Sequence, residues 1–311
     1  MAILGYHGFR DWAVYMEENE DLKFNFTFGF ELEVTLLNDS NEITPVNLSN
    51  IIKSKFGNLF VCERDSSIGK GVEIISQPMT WKWFMNHLDT FENLLKICIE
   101  SGFESHNGDF CGFHVHIGRE ALGGLDINNR LLNQDSVITN INYIMERYQN
   151  ELFKFSRRTL YSYRNWCSSR TDLIDLNGHK FIDKDRICKA SNDITNRYYS
   201  LNLCNDKTIE FRFLRGTLKW DTFFISLNLI KNIVENSRYS NHTVTLKNLI
   251  LNGLNDEEEE YAIEYCEKRG ITDEESDWKK PLFLEKTNSD SLSKIFQFNE
   301  LDLANDILND E

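Results

Sequence analysis

Hydrophobic and polar positions alternate with period two in several short stretches of the chain. Residues 26–36 (FTFGFELEVTL), 71–77 (GVEIISQ) and 111–117 (CGFHVHI) read as strands, the second closed by Pro78. Residues 198–204 and 208–214 read as two more, and the turn chemistry of Asn205-Asp206-Lys207 between them predicts a hairpin. Elsewhere the period lengthens. From Thr80 to Ser101, Trp81, Phe84, Leu88, Phe91, Leu95 and Cys98 recur at helical spacing, and Gly102 supplies a stop. Val137, Ile138, Ile141, Ile144, Met145, Tyr148 and Leu152 form one stripe, which predicts a long helix over Asp135–Leu160. Thr222–Asn236 predicts a further helix, and the polar stretch Asn165–Asn192 reads as a loop or an insertion. Strands and helices follow no regular alternation, so the expected class is α+β rather than a doubly wound sheet.

Three of these strands carry paired ionisable groups on one face. In a strand, residues i and i+2 point the same way, about 7 Å apart. Phe30-Glu31-Leu32-Glu33-Val34 sets two carboxylates opposite three apolar residues. Phe113-His114-Val115-His116-Ile117 sets two imidazoles there, and Ile209-Glu210-Phe211-Arg212-Phe213 a carboxylate and a guanidinium. A half-exposed strand taken alone also alternates charge with apolar residues. A lone HxH fits two surface histidines as well as two metal ligands. Three such strands in one chain narrow the choice.

The segment Cys62–Ser76 extends the pattern. Asp65 precedes a turn containing Gly69 and Gly71, and Glu73 lies in the following strand. No GxxxxGK[ST] is present, so these glycines read as a tight reversal that brings Asp65 and Glu73 together, not as a phosphate loop. The inventory is then Glu31, Glu33, Asp65, Glu73, Glu210 and one or two histidines. Carboxylates gathered in one cleft repel one another unless cations neutralise them. Oxygen ligands with few nitrogens favour Mg2+ or Mn2+ over Zn2+, and the count suits two or three ions. Such clusters hold nucleotide phosphates, because Mg2+ shares its shell with water and phosphate oxygens.

Composition sets the bounds. With 311 residues, 41 % apolar and 13 % aromatic, the chain can bury a sizeable core. No apolar run approaches the ~20 residues of a membrane span, and the first residues carry no export signal. Seven scattered cysteines without CxxC suit a reducing compartment, so a cytoplasmic location is expected. The net charge is -15, but residues 251–311 hold 18 acidic and 6 basic residues, which leaves only -3 on the first 250. The body can therefore hold an anionic ligand. The acidic stretch, with the run Asp256–Glu260, reads as a solvated surface or a docking surface for a basic partner. No stretch is basic enough for nucleic acid. Two regions follow: 1–250 as the catalytic body, with 165–192 as an insertion or lid, and 251–311 as an acidic helical or irregular extension.

Taken in order, ExE, D…GxE followed by Ser-Gln-Pro, CGFHVHIG, RYYSLNL and TIEFRFLRGTL resemble the amidoligase family, from about Phe28 to Asn236. That family belongs with glutamine synthetase and glutamate–cysteine ligase, the carboxylate–amine ligases. The resemblance implies a curved antiparallel sheet with ATP and metals on its concave face and helices behind. It implies that Glu31, His114 and Glu210 hold the metal that orients the ATP phosphates. Glu33, Asp65 and Glu73 would hold the metal near the substrate carboxylate. It places His116 near the transferring phosphoryl group and Arg212 on the γ-phosphate, with Arg197 and Arg215 as phosphate or carboxylate binders. The implied reaction joins a small-molecule or peptide carboxylate to an amine. A guanidino-kinase-like phosphotransferase and an inactive binding or structural protein on the same scaffold are the alternatives. Some relatives complete their site with a neighbouring subunit, so an oligomer is compatible with this reading.

Overall fold

A computed structural model of the chain describes residues 3–5, 8, 11–37, 43–106, 111–125, 131–168, 196–239 and 245–271. The strands are β1 (Ile3–Leu4), β2 (Thr27–Leu36), β3 (Phe60–Glu63), β4 (Gly71–Ser76), β5 (Met79–Thr80), β6 (Phe103–Glu104), β7 (Gly112–Gly118), β8 (Leu201–Asn202) and β9 (Thr208–Arg215). The helices are α1 (Pro45–Phe56), α2 (Trp81–Asn86), α3 (Leu88–Glu100), α4 (Gln134–Arg147), α5 (Gln149–Ser156), α6 (Leu160–Trp166), α7 (Trp220–Arg238), α8 (Leu246–Leu251) and α9 (Asp256–Lys268). The strands form one open sheet in the order β1-β3-β4-β2-β7-β9-β8, with β5 and β6 also on β2. All pairs are antiparallel except β1 with β3, which makes the sheet mixed where the sequence led us to expect an antiparallel one. The two-residue β1 carries too little periodicity to be seen in advance.

Alternation decides which face of the sheet is apolar. Phe28, Phe30, Leu32 and Val34 of β2 join Val72 and Ile74 of β4, Phe113, Val115 and Ile117 of β7, and Ile209 and Phe211 of β9 in the core. Helical residues complete it: Phe30 lies 6.2 Å from Phe91 of α3 and 5.3 Å from Phe223 of α7, ring centre to ring centre. Phe113 stacks on Phe223 at 4.8 Å. Each fully buried Phe contributes roughly 1.5–3 kcal/mol. This aromatic layer fixes the plane from which the opposite face projects.

Two expected helices are interrupted. The stretch Thr80–Ser101 forms α2 and α3, broken at His87, whose ring stacks on Trp83 at 4.0 Å. Thr80 caps α2, and Gly102 takes φ 79° just past α3, as its place after the last periodic residue predicts. The stretch Asp135–Leu160 breaks at Tyr148 and again at Arg157, which adopts φ 57°. The hairpin forms as expected, with the Asn205 side chain accepting from the backbone N–H of Lys207 and Thr208.

The acidic run Asp256–Glu259 is the first turn of α9. Negative side chains are favourable there, and Asn255 with Glu258 closes a capping box. Ala262, Tyr265 and Cys266 of α9 are buried in the common core, and the Tyr265 hydroxyl donates to Phe155 O at 2.6 Å. Residues 251–271 thus pack with the body. The stretch read as an insertion lies mostly in 169–195, and the rest of the acidic extension in 272–311, both outside the described residues. Among the described residues, no helix is long and apolar enough to cross a membrane.

Candidate active site

The face of the sheet away from the aromatic core is a grid of ionisable groups. Cross-strand partners on one face lie about 5 Å apart, and neighbours along a strand about 7 Å apart. Glu63 of β3, Glu73 of β4 and Glu33 of β2 form one row by register. Glu31 and His114 form the next, with Ile75 at its edge. Gly29, His116, Glu210 and Asn202 form a third. Glu33, Glu73, His114, Glu210 and Arg212 are buried, and Glu31 and His116 half-buried.

Asp65 reaches the first row from the turn after β3. It caps the short 3-10 turn Ser66–Ile68 by accepting from the Ser67 N–H at 2.7 Å, and it is half-buried. Three sets of side chains each place one ligand atom per residue within 4.8 Å of the others: Glu33, Asp65 and Glu73; Glu31, Glu73 and His114; Glu31, His116 and Glu210. The sets share Glu31 and Glu73, so the structure gathers all seven of these residues, including both histidines, into one continuous cluster. His114 Nδ1 lies 3.3 Å from Glu31 and 3.5 Å from Glu210, so the trio Glu31, His114 and Glu210 is also in contact.

Arg212 pairs with Glu210 through Nη1, and its Nε donates to Trp166 O at 3.4 Å. Asn202 donates to the other Glu210 oxygen at 2.6 Å. Between Phe113 and Val115 of β7, β9 advances three residues, from Phe211 to Leu214, so β9 carries a one-residue bulge opposite His114. Residues three apart in a regular strand point to opposite faces; the extra residue restores Arg215 to the face of Arg212, opposite Gly112. Arg215 donates to Arg157 O at 3.3 Å and to His106 O. Arg197 is exposed, its guanidinium 5.6 Å from the Tyr198 ring centre.

Electrostatics follow from crowding. Burial and the carboxylates of Glu31, Glu33 and Asp65 push the Glu73 carboxyl up to about 10. Burial pushes the Glu31 carboxyl up as well, but His116 and His114 outweigh it and hold that group well below the usual range. Burial is likewise outweighed at Glu210, by Arg212 and both imidazoles, and its carboxyl is lowered. Burial disfavours a charged His116, yet Glu31 and Glu210 raise it to about 9. His116 Nδ1 meets Thr208 Oγ1 at 3.1 Å. Its buried Nε2 sits 3.1 Å from Glu31 Oε1 but, among the described residues, has no hydrogen-bond partner of proper angle. Oxygen-rich donors, a buried imidazole nitrogen ion-paired but without a well-angled hydrogen bond, and a carboxyl forced to keep its proton together fit hard divalent cations.

Gly112 is required by close approach. Its N–H donates to Glu33 Oε2 at 2.5 Å. A Cβ there would lie 2.5 Å from His114 Nε2 and 2.8 Å from Arg158 Nη2. Gly112→Ala should therefore displace the His114 ring and weaken Mn2+ binding, read by titration, while the core stays folded. Unchanged Mn2+ affinity would contradict this placement of His114.

Sequence reasoning missed Glu63, Asn202, Thr208 and Arg158. Glu63 lies two residues before Asp65 in a strand buried along its whole length, so no alternation marks it. Asn202 could have been found as the hairpin partner of Glu210; nothing in the local pattern marks Arg158.

No protein-family model matches the chain, and no curated protein matches it. Among solved structures, a GmaS/ADP complex is similar, with a TM-score of 0.40 and 9 % identity, covering 70 % of this chain. The chain spans about half the length of that protein, 55 % of which is covered. The similarity is distant.

Proposed function

We propose that the chain is a metal-dependent, ATP-using ligase that joins a carboxylate to an amine. The observation that carries this reading is the convergence of Glu31, Glu33, Asp65, Glu73, His114, His116 and Glu210 on one sheet face, with Arg212 beside them. Glu33, Asp65 and Glu73 would hold one divalent cation, and Glu31, Glu210 and the two histidines one or two more. Bound Mg2+ or Mn2+ would neutralise phosphate charge and act as a Lewis acid.

The reaction has two balanced steps. A carboxylate oxygen attacks the γ-phosphorus of ATP and ADP leaves, giving an acyl phosphate. The amine then attacks the acyl carbon, phosphate leaves, and the nitrogen loses a proton. No protein nucleophile is needed. Arg212, held by Glu210, would place positive charge beside the transferring group, and Arg215 would offer a second guanidinium on the same face. His116, oriented by Thr208, presents Nε2 to the same space. Arg197 is the more distant candidate for binding a substrate carboxylate. The aromatic layer behind the sheet keeps these groups in fixed relation, which is what catalysis by positioning requires.

Thermal unfolding with a non-hydrolysable ATP analogue, with and without Mg2+, tests this reading. At 100 times its dissociation constant a ligand adds about 2.7 kcal/mol. For a chain of this size that is roughly 4 °C in Tm. The shift should need both metal and nucleotide. No shift, or one indifferent to metal, overturns the reading. With substrates in hand, an amide plus free phosphate marks the ligase, whereas a stable phosphorylated product marks a phosphotransferase.

A further inference from the structure

Arg158 follows α5 and is buried beneath the end of β9. Its guanidinium is spent on consecutive carbonyls of that strand. Nε donates to Phe213 O at 3.2 Å and Leu214 O at 3.1 Å, and Nη2 donates to Arg212 O at 3.2 Å. Nη1 donates to Ser162 Oγ at 2.9 Å. These three carbonyls belong to the bulge residues and the residue after them. β8 pairs β9 at Glu210 and Phe211, and the Arg212 N–H donates to Ser200 O just before β8, so among the described residues the outer edge of β9 has no strand partner beyond Arg212. Buried carbonyls without partners are costly, and a bulge multiplies them. A planar guanidinium spreads five donors in a rigid fork and can follow carbonyls along an edge; an ammonium concentrates three on one compact head.

We infer that Arg158 is a positioning residue: it holds the one-residue bulge of β9 that sets Arg212 and Arg215 on the face of the carboxylates and imidazoles. Without the bulge the alternation of β9 would carry Arg215 to the opposite face, and the strand would no longer place two residues opposite His114. The inference deepens the ligase reading and rests on it for the importance of the two arginines. The structural part stands on the hydrogen bonds alone.

The test uses the full chain. In the parent protein, the Arg158 Nε–H should exchange slowly with solvent in nitrogen-15 NMR; exchange at the rate of exposed arginines overturns the proposal. Arg158→Lys and Arg158→Gln are then compared with the parent. In whichever variant folds, the His114 and His116 imidazole resonances should move, because the bulge lies opposite His114. Imidazole signals at parent positions in a folded variant overturn it. The affinity for a non-hydrolysable ATP analogue with Mg2+ should fall about tenfold. In an Arg212→Lys background the same change should cost less than about twofold more, since coupled residues are not additive. Fully multiplicative losses overturn the positioning role. A parent that binds no analogue sinks the ligase reading, while the exchange rate and imidazole signals still decide the role of Arg158.

Discussion

Glu33→Gln is expected to lower metal-dependent ATP turnover by about 10²-fold or more while making the metal-free protein more stable. Both effects come from one carboxylate. In the proposed function Glu33 holds a cation with Asp65 and Glu73, which lie within ligand distance of it, so the amide removes a charge that such a cation would require. Losing one charge-stabilising group at a reacting centre costs on the order of 10²-fold. The fold has no reason to suffer. The amide oxygen can still accept the Gly112 N–H, and the new NH2 group can donate to neighbouring carboxylates. One of the repulsions that push the Glu73 carboxyl up is also gone. Denaturation in EDTA and steady-state phosphate release measure the two halves. A variant that folds and retains parent turnover removes Glu33 from the metal site. A large loss of stability in EDTA would mean that Glu33 serves the fold.

The second expectation is an inverted pH profile. In EDTA, stability should fall between about pH 6.5 and 9, and saturating Mg2+ should reverse the slope. The Glu73 carboxyl rises from 4.5 to about 10 on folding, so its contribution is full below 4.5 and is lost as pH climbs towards 10. His116 rises from 6.5 to about 9, so its contribution is full below 6.5 and is lost as pH rises through 9. Glu31 and Glu210 are lowered and act the other way: their contribution is present above 4.5 and lost as pH falls below it. The metal-free optimum therefore lies near pH 4.5, with a decline from Glu73 alone up to about 6.5 and a steeper one, from both groups, between 6.5 and 9. Each fully displaced group loses ~1.4 kcal/mol per pH unit within its window. Cations bind the deprotonated carboxylates, so their contribution grows with pH. Denaturant titrations at pH 5.5, 7 and 8.5, with EDTA or Mg2+, measure this. A metal-free protein that gains stability from pH 6.5 to 9 would contradict the crowding of Glu73.

Much of this site is visible in the alternation of three strands. ExE, HxH and ExR can be read because strand side chains repeat every two residues, and the apolar partners Phe30, Leu32, Val115 and Phe211 say which face is buried. Asp65 was legible through its turn. What was not legible depends on pairing between distant segments. The β9 bulge needs the register with β7. Glu63 matters only because β3 lies beside β4. Arg158 acts from a helix end through carbonyl oxygens, which every residue has and no sequence pattern marks. The parallel β1 is too short to show a period, and the breaks at His87 and Tyr148 were hidden because the hydrophobic stripe continues across each break although the helix does not. Arg197 was singled out beside the RYYSLNL strand; its guanidinium lies over Tyr198, at the exposed start of that segment.

The ten residues of β2 carry core and chemistry on alternate positions, and that ties the length of the strand to its composition. A phenylalanine at 28 or 30 can be exchanged for another bulky apolar residue at the cost of repacking. Insertion or deletion of one residue between Phe28 and Val34 is a different event, because it would trade the carboxylates for the aromatics across the sheet. Such a strand tolerates drift in spelling but not in length. Changes in length that this scaffold can accept belong outside the paired strands, in connections such as Asn205-Asp206-Lys207, where one more residue alters a loop and leaves both faces as they were.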